Sequence, residues 1–285
     1  MHQPMVSVVM PSLNQAQFID EAIDSVLTQS YQYIELIVAD GGSTDGTQQI
    51  LAAWRARDTR LRWTSAPDSG PADAINNALK RVRGTLVGWL NSDDLYTAGA
   101  VARAAEVLTN DAMCLMVYGH GQHVDHAGRF LNQYPTLPPS AGLRSFAHGC
   151  FICQPTVFFR RSMVLLLGEF DTTLKTAFDF DYWLRAFGAF EERIRFLDAV
   201  RAKSRLHGAC ITSSMRRTVA LEGARLVRHH LGTAPFNWLL DHFKEVKKSG
   251  MPDLQRYWRL VIEDARPYFS AEEVEVLRLS LISGD

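Results

Sequence analysis

Along the first 112 residues the apolar positions switch repeatedly between two periods. Val6-Ser7-Val8-Val9-Met10, Ile34-Glu35-Leu36-Ile37-Val38-Ala39 and Thr85-Leu86-Val87-Gly88-Trp89-Leu90 are short, near-continuous apolar runs. That is the pattern of strands covered on both faces. Between them Ile19, Ala22, Ile23, Val26 and Leu27 recur at helical spacing, as do Ile50, Leu51 and Trp54. Ala72 to Val82 and Ala98 to Leu108 predict further helices, and Leu61-Arg62-Trp63-Thr64 a shorter strand. Strand–helix alternation of this kind predicts an α/β fold, a mostly parallel central sheet flanked by helices. Ligands in such sheets bind beyond the carboxyl ends of the strands. The polar clusters after Met10, Ala39 and Leu90 all belong to that edge.

Beyond Met113 the pattern is less regular. Met116 through Leu131 suggests a hairpin, Asp181 to Phe187 a helix, Arg195-Phe196-Leu197 a strand, and Arg205 to Gly208 an extended segment. From Met215 four helices follow: Val219 to His230, Phe236 to Lys247, Leu254 to Asp264 and Ala271 to Leu281. The division expected is a domain over 1–212, with a first half of about 1–112 and a second of about 113–212, then a helical C-terminal extension over 213–285. In that extension Phe236, Leu239, Leu240, Phe243 and Val246 form an apolar stripe, with Lys244, Lys247 and Lys248 nearby. A packed helix or homodimer face explains it, and so does an interfacial helix making peripheral membrane contact.

Composition narrows the partners. The 285 residues are 47% hydrophobic and 21% charged, enough for a substantial core. A net charge of −1 gives no general attraction to nucleic acid or anionic lipid, so no nucleic-acid partner is expected and an anionic ligand needs a local site. No apolar run approaches the roughly 20 residues that span a bilayer. Met1-His2-Gln3-Pro4 has none of the marks of a signal peptide, so a cytoplasmic protein is expected. Four cysteines do not suggest a disulfide framework. Cys150-Phe151-Ile152-Cys153 has metal or redox spacing but enters an extended run, which favours two buried free thiols.

The chemistry gathers in the strand-end loops. Asn91-Ser92-Asp93-Asp94 follows a central strand, and paired carboxylates there suit a hard divalent cation such as Mg²⁺ or Mn²⁺. Taken alone, Asp93 and Asp94 read equally as a helix cap. Asp40, at the tip of the neighbouring strand, favours the site. Asp40-Gly41-Gly42-Ser43-Thr44-Asp45-Gly46 lacks the Gly-Lys-Ser/Thr of a phosphate loop and is not a G-x-G-x-x-G fingerprint, although one of Ser43, Thr44 and Asp45 is expected to cap the next helix.

Four segments in register resemble the family 2 glycosyltransferases. They are Ser7-Val8-Val9-Met10-Pro11-Ser12-Leu13-Asn14, Ile37 to Thr47, Gly88 to Asp94, and Gly168-Glu169-Phe170-Asp171 followed by Asp179 to Arg185. The likeness spans roughly residues 5 to 212 and implies a GT-A fold, a nucleoside-diphosphate-sugar donor and an inverting reaction. It implies that Pro11, Ser12 and Asn14 line the nucleoside pocket, that Asp40 bonds the base or ribose, and that Asp68, Gly70 and Asp73 supply a second nucleotide-contacting segment. The family's D-x-D element has Asn91 for its first aspartate, which leaves Asn91 for the ribose, Asp94 as the direct metal ligand and Asp93 in the ribose or metal shell. His207 is either structural or a Mn²⁺ or diphosphate contact. Asp179 matches the family's catalytic base, with Phe178 in place of the usual glutamate, and Asp181 reads as structural. Trp183 and Arg185 read as core and helix surface.

The function expected is transfer of a sugar, UDP-linked, to a glycan or lipid-linked acceptor in surface polysaccharide synthesis, at the inner face of the membrane if the acceptor is lipid-linked. A sugar-nucleotide nucleotidyltransferase is the first alternative, but Pro11-Ser12-Leu13-Asn14 carries no cation for a phosphate loop. A non-catalytic sugar-nucleotide binder is the second, and mutation of Asp179 separates it from the enzyme.

Overall fold

The structure, a computed structural model, describes residues 3–232 and 236–283. Among them nine strands form one sheet: β1 (Val6–Ser12), β2 (Ile34–Asp40), β3 (Leu61–Ser65), β4 (Leu86–Trp89), β5 (Leu95–Tyr96), β6 (Met116–Val124), β7 (Phe130–Gln133), β8 (Phe158–Arg160) and β9 (Ile194–Arg205). The order is β3-β2-β1-β4-β8-β6-β9-β5, with β7 paired to β6. The pairs β3–β2, β2–β1 and β1–β4 are parallel, as the apolar runs predict. Past β4 the sheet is mixed: β8 runs antiparallel to β4 and β6, whereas β6 and β9 are parallel.

Pro11 does not stop β1, which continues to Ser12. Pairing with β4 ends at Val9 opposite Trp89, so the N–H that proline lacks has no partner to serve on that side. On the other side Ser12 O still accepts from Gly41 N at 2.8 Å. β9 is the larger departure, twelve residues rather than three. Its run is interrupted by Arg201 and Arg205, both buried, so the charges conceal a strand that the sheet covers.

Helices α1 (Ile19–Leu27), α2 (Thr47–Arg57), α3 (Pro71–Leu79) and α4 (Ala100–Asn110) connect the first strands. α1 and α4 bury Ile19, Ala22, Ile23, Val26 and Leu27, and Ala100, Val101, Ala104, Ala105 and Leu108. These join Val8, Met10, Leu36 and Val38 in a continuous apolar core. Helices α5 (Ser162–Leu167) and α6 (Phe178–Phe190) follow β8.

The chain divides into two compact units, one of residues 1–141 with 151–207, the other of 142–150 with 208–285. The second holds α7 (Ile211–Ser214), α8 (Arg216–Leu231), α9 (Asn237–Lys248), α10 (Leu254–Ala265) and α11 (Ala271–Ser283). Its core is built from Ala224, Leu239, Trp258, Val261 and Ala265. The stripe on α9 faces that core. Phe236 stacks on Phe269 at 5.7 Å and Phe243 meets Trp258 at 4.9 Å, so packing within the unit accounts for the stripe. No described helix is long and apolar enough to cross a membrane. Of the pair Cys150 and Cys153, Cys153 is buried against Gly121, whereas Cys150 is half-buried.

Candidate active site

The loops after β1 and β2 are laced into one surface. Asn14 takes a left-handed φ of 52°, a conformation asparagine tolerates better than most side chains. From there its backbone N donates to Ser43 Oγ at 2.7 Å, and its Oδ1 accepts from Thr44 N at 2.9 Å. Asp45 accepts from Thr47 N at 3.0 Å and from Ala16 N at 2.9 Å, while the N-cap position of α2 falls to Gly46, with no side-chain cap bond. Asp40 is buried, and its carboxylate accepts from Ser43 N at 3.0 Å, Ser65 Oγ at 2.6 Å and the Ser43 hydroxyl. Protein donors therefore reach both Asp40 oxygens, and through them Asp40 ties the Ser43 loop to the end of β3.

Asp68 is placed differently. Its Oδ1 accepts from Gly70 N at 2.9 Å, while Oδ2 lies so close to Gly41 that a Cβ there would meet it at 2.8 Å. Burial, with the charges of Asp73 and Asp40, holds its carboxyl above the usual carboxylate range. Gly70, at φ 128°, turns the chain into α3, and Asp73 in the first turn accepts from Ser69 N at 3.1 Å. Pro11 and Ser12 lie at the buried end of β1, where Ser12 Oγ has no hydrogen-bond partner. A buried orphan hydroxyl among these loops is a contact a polar ligand could complete.

The turn after β4 is held from beneath. Asp94 is buried, and its Oδ1 accepts from Arg205 N at 2.8 Å. Burial and the charge of Asp93 push the Asp94 carboxyl well above the ordinary range. Asp93, by contrast, faces His207, with Oδ2 and Nε2 3.0 Å apart. Asp94 thus lies beneath the turn, held by the Arg205 amide, and Asp93 lies beside His207. Arg205 clamps this assembly, donating to Asp93 O at 2.9 Å, His126 O at 2.6 Å and Glu21 Oε2 at 2.7 Å. Its guanidinium lies over Phe18, which in turn packs on His207 at 4.7 Å. Arg205 escapes a motif search because its partners, two backbone carbonyls and an acid on α1, lie 79 to 184 positions away in the chain.

A two-residue donor set suits Mn²⁺ or Mg²⁺, which take one or two protein carboxylates and complete their shells with phosphate oxygens and water. No cluster of three or more His, Cys, Asp or Glu side chains able to hold a metal occurs among the described residues. Asp93 Oδ2 and His207 Nε2, 3.0 Å apart, are the atoms that would hold such an ion.

Asp179 lies in the first turn of α6, half-buried, its Oδ1 accepting from Phe180 N at 2.7 Å. Phe178 stacks on Trp89 at 5.6 Å, which packs the start of α6 against the strand end that leads into the turn. Asp181 pairs with Arg185 at 2.8 Å, and Trp183 is buried. Arg185 is more than helix surface, since it also donates to Leu167 O and Glu169 O. Asn76 pairs in both directions with the Phe170 backbone, at 2.9 and 3.0 Å, so Gly168 to Asp171 is held from α3 as well.

A parallel four-strand half, long loops at its carboxyl edge and a mixed second half define a mixed α/β fold of the GT-A type. The same fold is found in S. aureus TarS 1–349 in complex with UDP-GlcNAc, with a TM-score of 0.71, 22% identity, and coverage of 96% of this chain and 83% of that one. It is found again in the mannosyltransferase PcManGT from Pyrobaculum calidifontis, in complex with GDP-Man and Mn2+, at a TM-score of 0.62, 18% identity and coverage of 99% and 87%. The sequence model of Glycosyl transferase family 2 matches residues 7–166, more than half of the chain, and the protein belongs to that family. Glycosyltransferase RP339 of Rickettsia prowazekii (strain Madrid E) is 29% identical over 75% of this chain and 67% of its own. TuaG of Bacillus subtilis (strain 168), a putative teichuronic acid biosynthesis glycosyltransferase, is 31% identical over 52% of this chain and 60% of its own. Chondroitin synthase of Escherichia coli is 28% identical over 64% of this chain, which spans only 26% of that longer protein. The protein is a glycosyltransferase with relatives in polysaccharide synthesis.

Proposed function

We propose that the protein transfers a sugar, with inversion, from a UDP-linked donor to a glycan or lipid-linked acceptor in the synthesis of a surface polysaccharide. The observation that carries this is the Asp93–His207 pair, set 3.0 Å apart at the same sheet edge as the laced β1 and β2 loops. Pro11, Ser12, Asn14, Asp68 and Asp73 line the nucleotide side, with Asp40 shaping it from beneath. Asp93 and His207 would hold Mn²⁺ or Mg²⁺, which when bound stabilises charge on the departing diphosphate. Asp179 takes the proton from the acceptor hydroxyl as it attacks the anomeric carbon from the face opposite the diphosphate. Two likenesses support the reading: TarS, which shares the fold, was solved in complex with UDP-GlcNAc, and TuaG is named for teichuronic acid biosynthesis. Such an enzyme works in the cytoplasm, where its donor is made, and at the inner face of the membrane when its acceptor is lipid-linked.

Asp179→Asn tests the base. Removing the proton acceptor is expected to slow transfer by about 100-fold or more and leave UDP affinity near that of the wild type. Unchanged transfer would remove Asp179 from this role.

A further inference from the structure

Two positions depart from the family pattern, Asn91 for an aspartate and Phe178 for a glutamate, and they meet on one side chain. Trp89 is 2% exposed, and its ring is stacked by Phe178 at an interplanar angle of 24°. Its indole Nε1 donates to Asn91 Oδ1 at 2.9 Å. An indole nitrogen is only ever a donor, so this contact fixes which way the Asn91 amide points. Nδ2 must then face the other way, where it donates to Gln154 Oε1 at 3.0 Å and to Asp94 Oδ2 at 3.3 Å. Gln154 closes the ring, its Nε2 donating to Trp89 O at 2.8 Å.

We infer that Asn91 is a positioning residue rather than a ribose or metal contact, and that Phe178 and Trp89 exist in this form to orient it. The inference rests on the metal reading of Asp93 and His207. The locked amide supplies a donor to the buried Asp94 carboxylate, and Asp94 anchors the turn that sets Asp93 opposite His207. Phe178 steadies the indole that locks the amide. The two departures therefore meet on one side chain, Trp89.

The consequence runs against the family pattern. A carboxylate at position 91 has no donor for Gln154 Oε1 and would stand acceptor to acceptor against it, and it withdraws the Nδ2 donor from Asp94 Oδ2. Gln154 cannot turn its amide to help without giving up Trp89 O. Asn91→Asp, which restores the family's aspartate, is thus expected to weaken the metal site.

The test titrates Mn²⁺ in the presence of UDP, reading free Mn²⁺ by electron paramagnetic resonance, with thermal midpoints recorded for each protein. Asn91→Asp is expected to bind Mn²⁺ about tenfold more weakly than wild type, the loss typical of an outer-shell partner. Trp89→Phe keeps the ring but drops the indole N–H, and is expected to shift affinity the same way by a smaller factor with a near-native midpoint. Equal or tighter Mn²⁺ binding by folded Asn91→Asp would overturn the inference. If that variant does not fold, unchanged affinity in Trp89→Phe would do so. Wild-type protein that takes up no Mn²⁺ with UDP would overturn the metal reading, and the inference with it.

Discussion

Replacing Arg205 with methionine removes the clamp beneath the Asp93–Asp94 turn while keeping most of the apolar stem. The carbonyls of Asp93 and His126 each lose a guanidinium donor at 2.9 and 2.6 Å. Asp93 is partly buried, so its unpaired carbonyl costs roughly 1–3 kcal/mol, whereas the exposed His126 returns its carbonyl to water at little cost. Loss of the cation over the Phe18 ring adds roughly 0.5–1 kcal/mol. Glu21, whose side chain is 64% exposed, returns to water, so its pair with Arg205 contributes little. The expected loss is about 2–4 kcal/mol of folding stability, read from urea unfolding. Because Asp93 and His207 flank the clamp, Mn²⁺ affinity measured with UDP should also fall by roughly 10–100-fold. Arg205→Lys is expected to recover less than half of either effect, since one ammonium cannot reach acceptors spread in three directions. A variant within about 1 kcal/mol of wild type would refute the energetic reasoning. Lost stability with Mn²⁺ affinity intact would refute the link between clamp and site.

His207→Ala should weaken Mn²⁺ binding by about tenfold or more without disturbing the sheet, and an unchanged titration would return His207 to a structural role. Gly41→Ala places a Cβ 2.8 Å from Asp68 Oδ2, so Asp68 must move; UDP affinity measured calorimetrically should fall several-fold, and no change would remove Asp68 from the nucleotide side. At Glu35 burial alone would raise the carboxyl pKa, but hydrogen bonds from Ser7, Arg83 N and Arg62, with the Arg62 charge, outweigh it and hold the group below its usual range. Its folded pKa is lowered, so its stabilisation is complete above the unfolded value of about 4.3 and is lost as pH falls through the folded value. Glu35→Gln should be less stable by about 1–2 kcal/mol at pH 7, with the gap closing in acid; a gap that persists or widens below pH ~4 would contradict the assignment.

The parallel half of the fold was legible because its strands are apolar on both faces and its helices show one clear buried stripe. β9 was not, because Arg201 and Arg205 are buried by hydrogen bonding to carbonyls rather than by apolar packing, and a hydrophobicity pattern cannot register that. That β1 runs on through Pro11 was hidden for a related reason, since only the length of the neighbouring β4 decides whether the missing N–H matters. Within the site, the residue types at 40, 68, 93, 94 and 207 pointed to the chemistry, but not to which carboxylate faces inward. Asp93 and Asp94 are adjacent in sequence and opposite in environment, one half-buried beside His207 and the other buried on the Arg205 amide. That distinction belongs to packing. So does the role of Trp89, whose indole N–H looks like core in the sequence and determines the orientation of Asn91 in the structure.

The account is tested most directly by a panel of nucleotide sugars offered to the purified protein with Mn²⁺, and again with EDTA, scored by binding and by slow hydrolysis of the donor. The account predicts that a UDP-linked sugar is bound and hydrolysed with Mn²⁺, that EDTA abolishes turnover, and that added Mn²⁺ restores it. Full turnover in EDTA, or failure to bind any UDP-linked sugar, would contradict it.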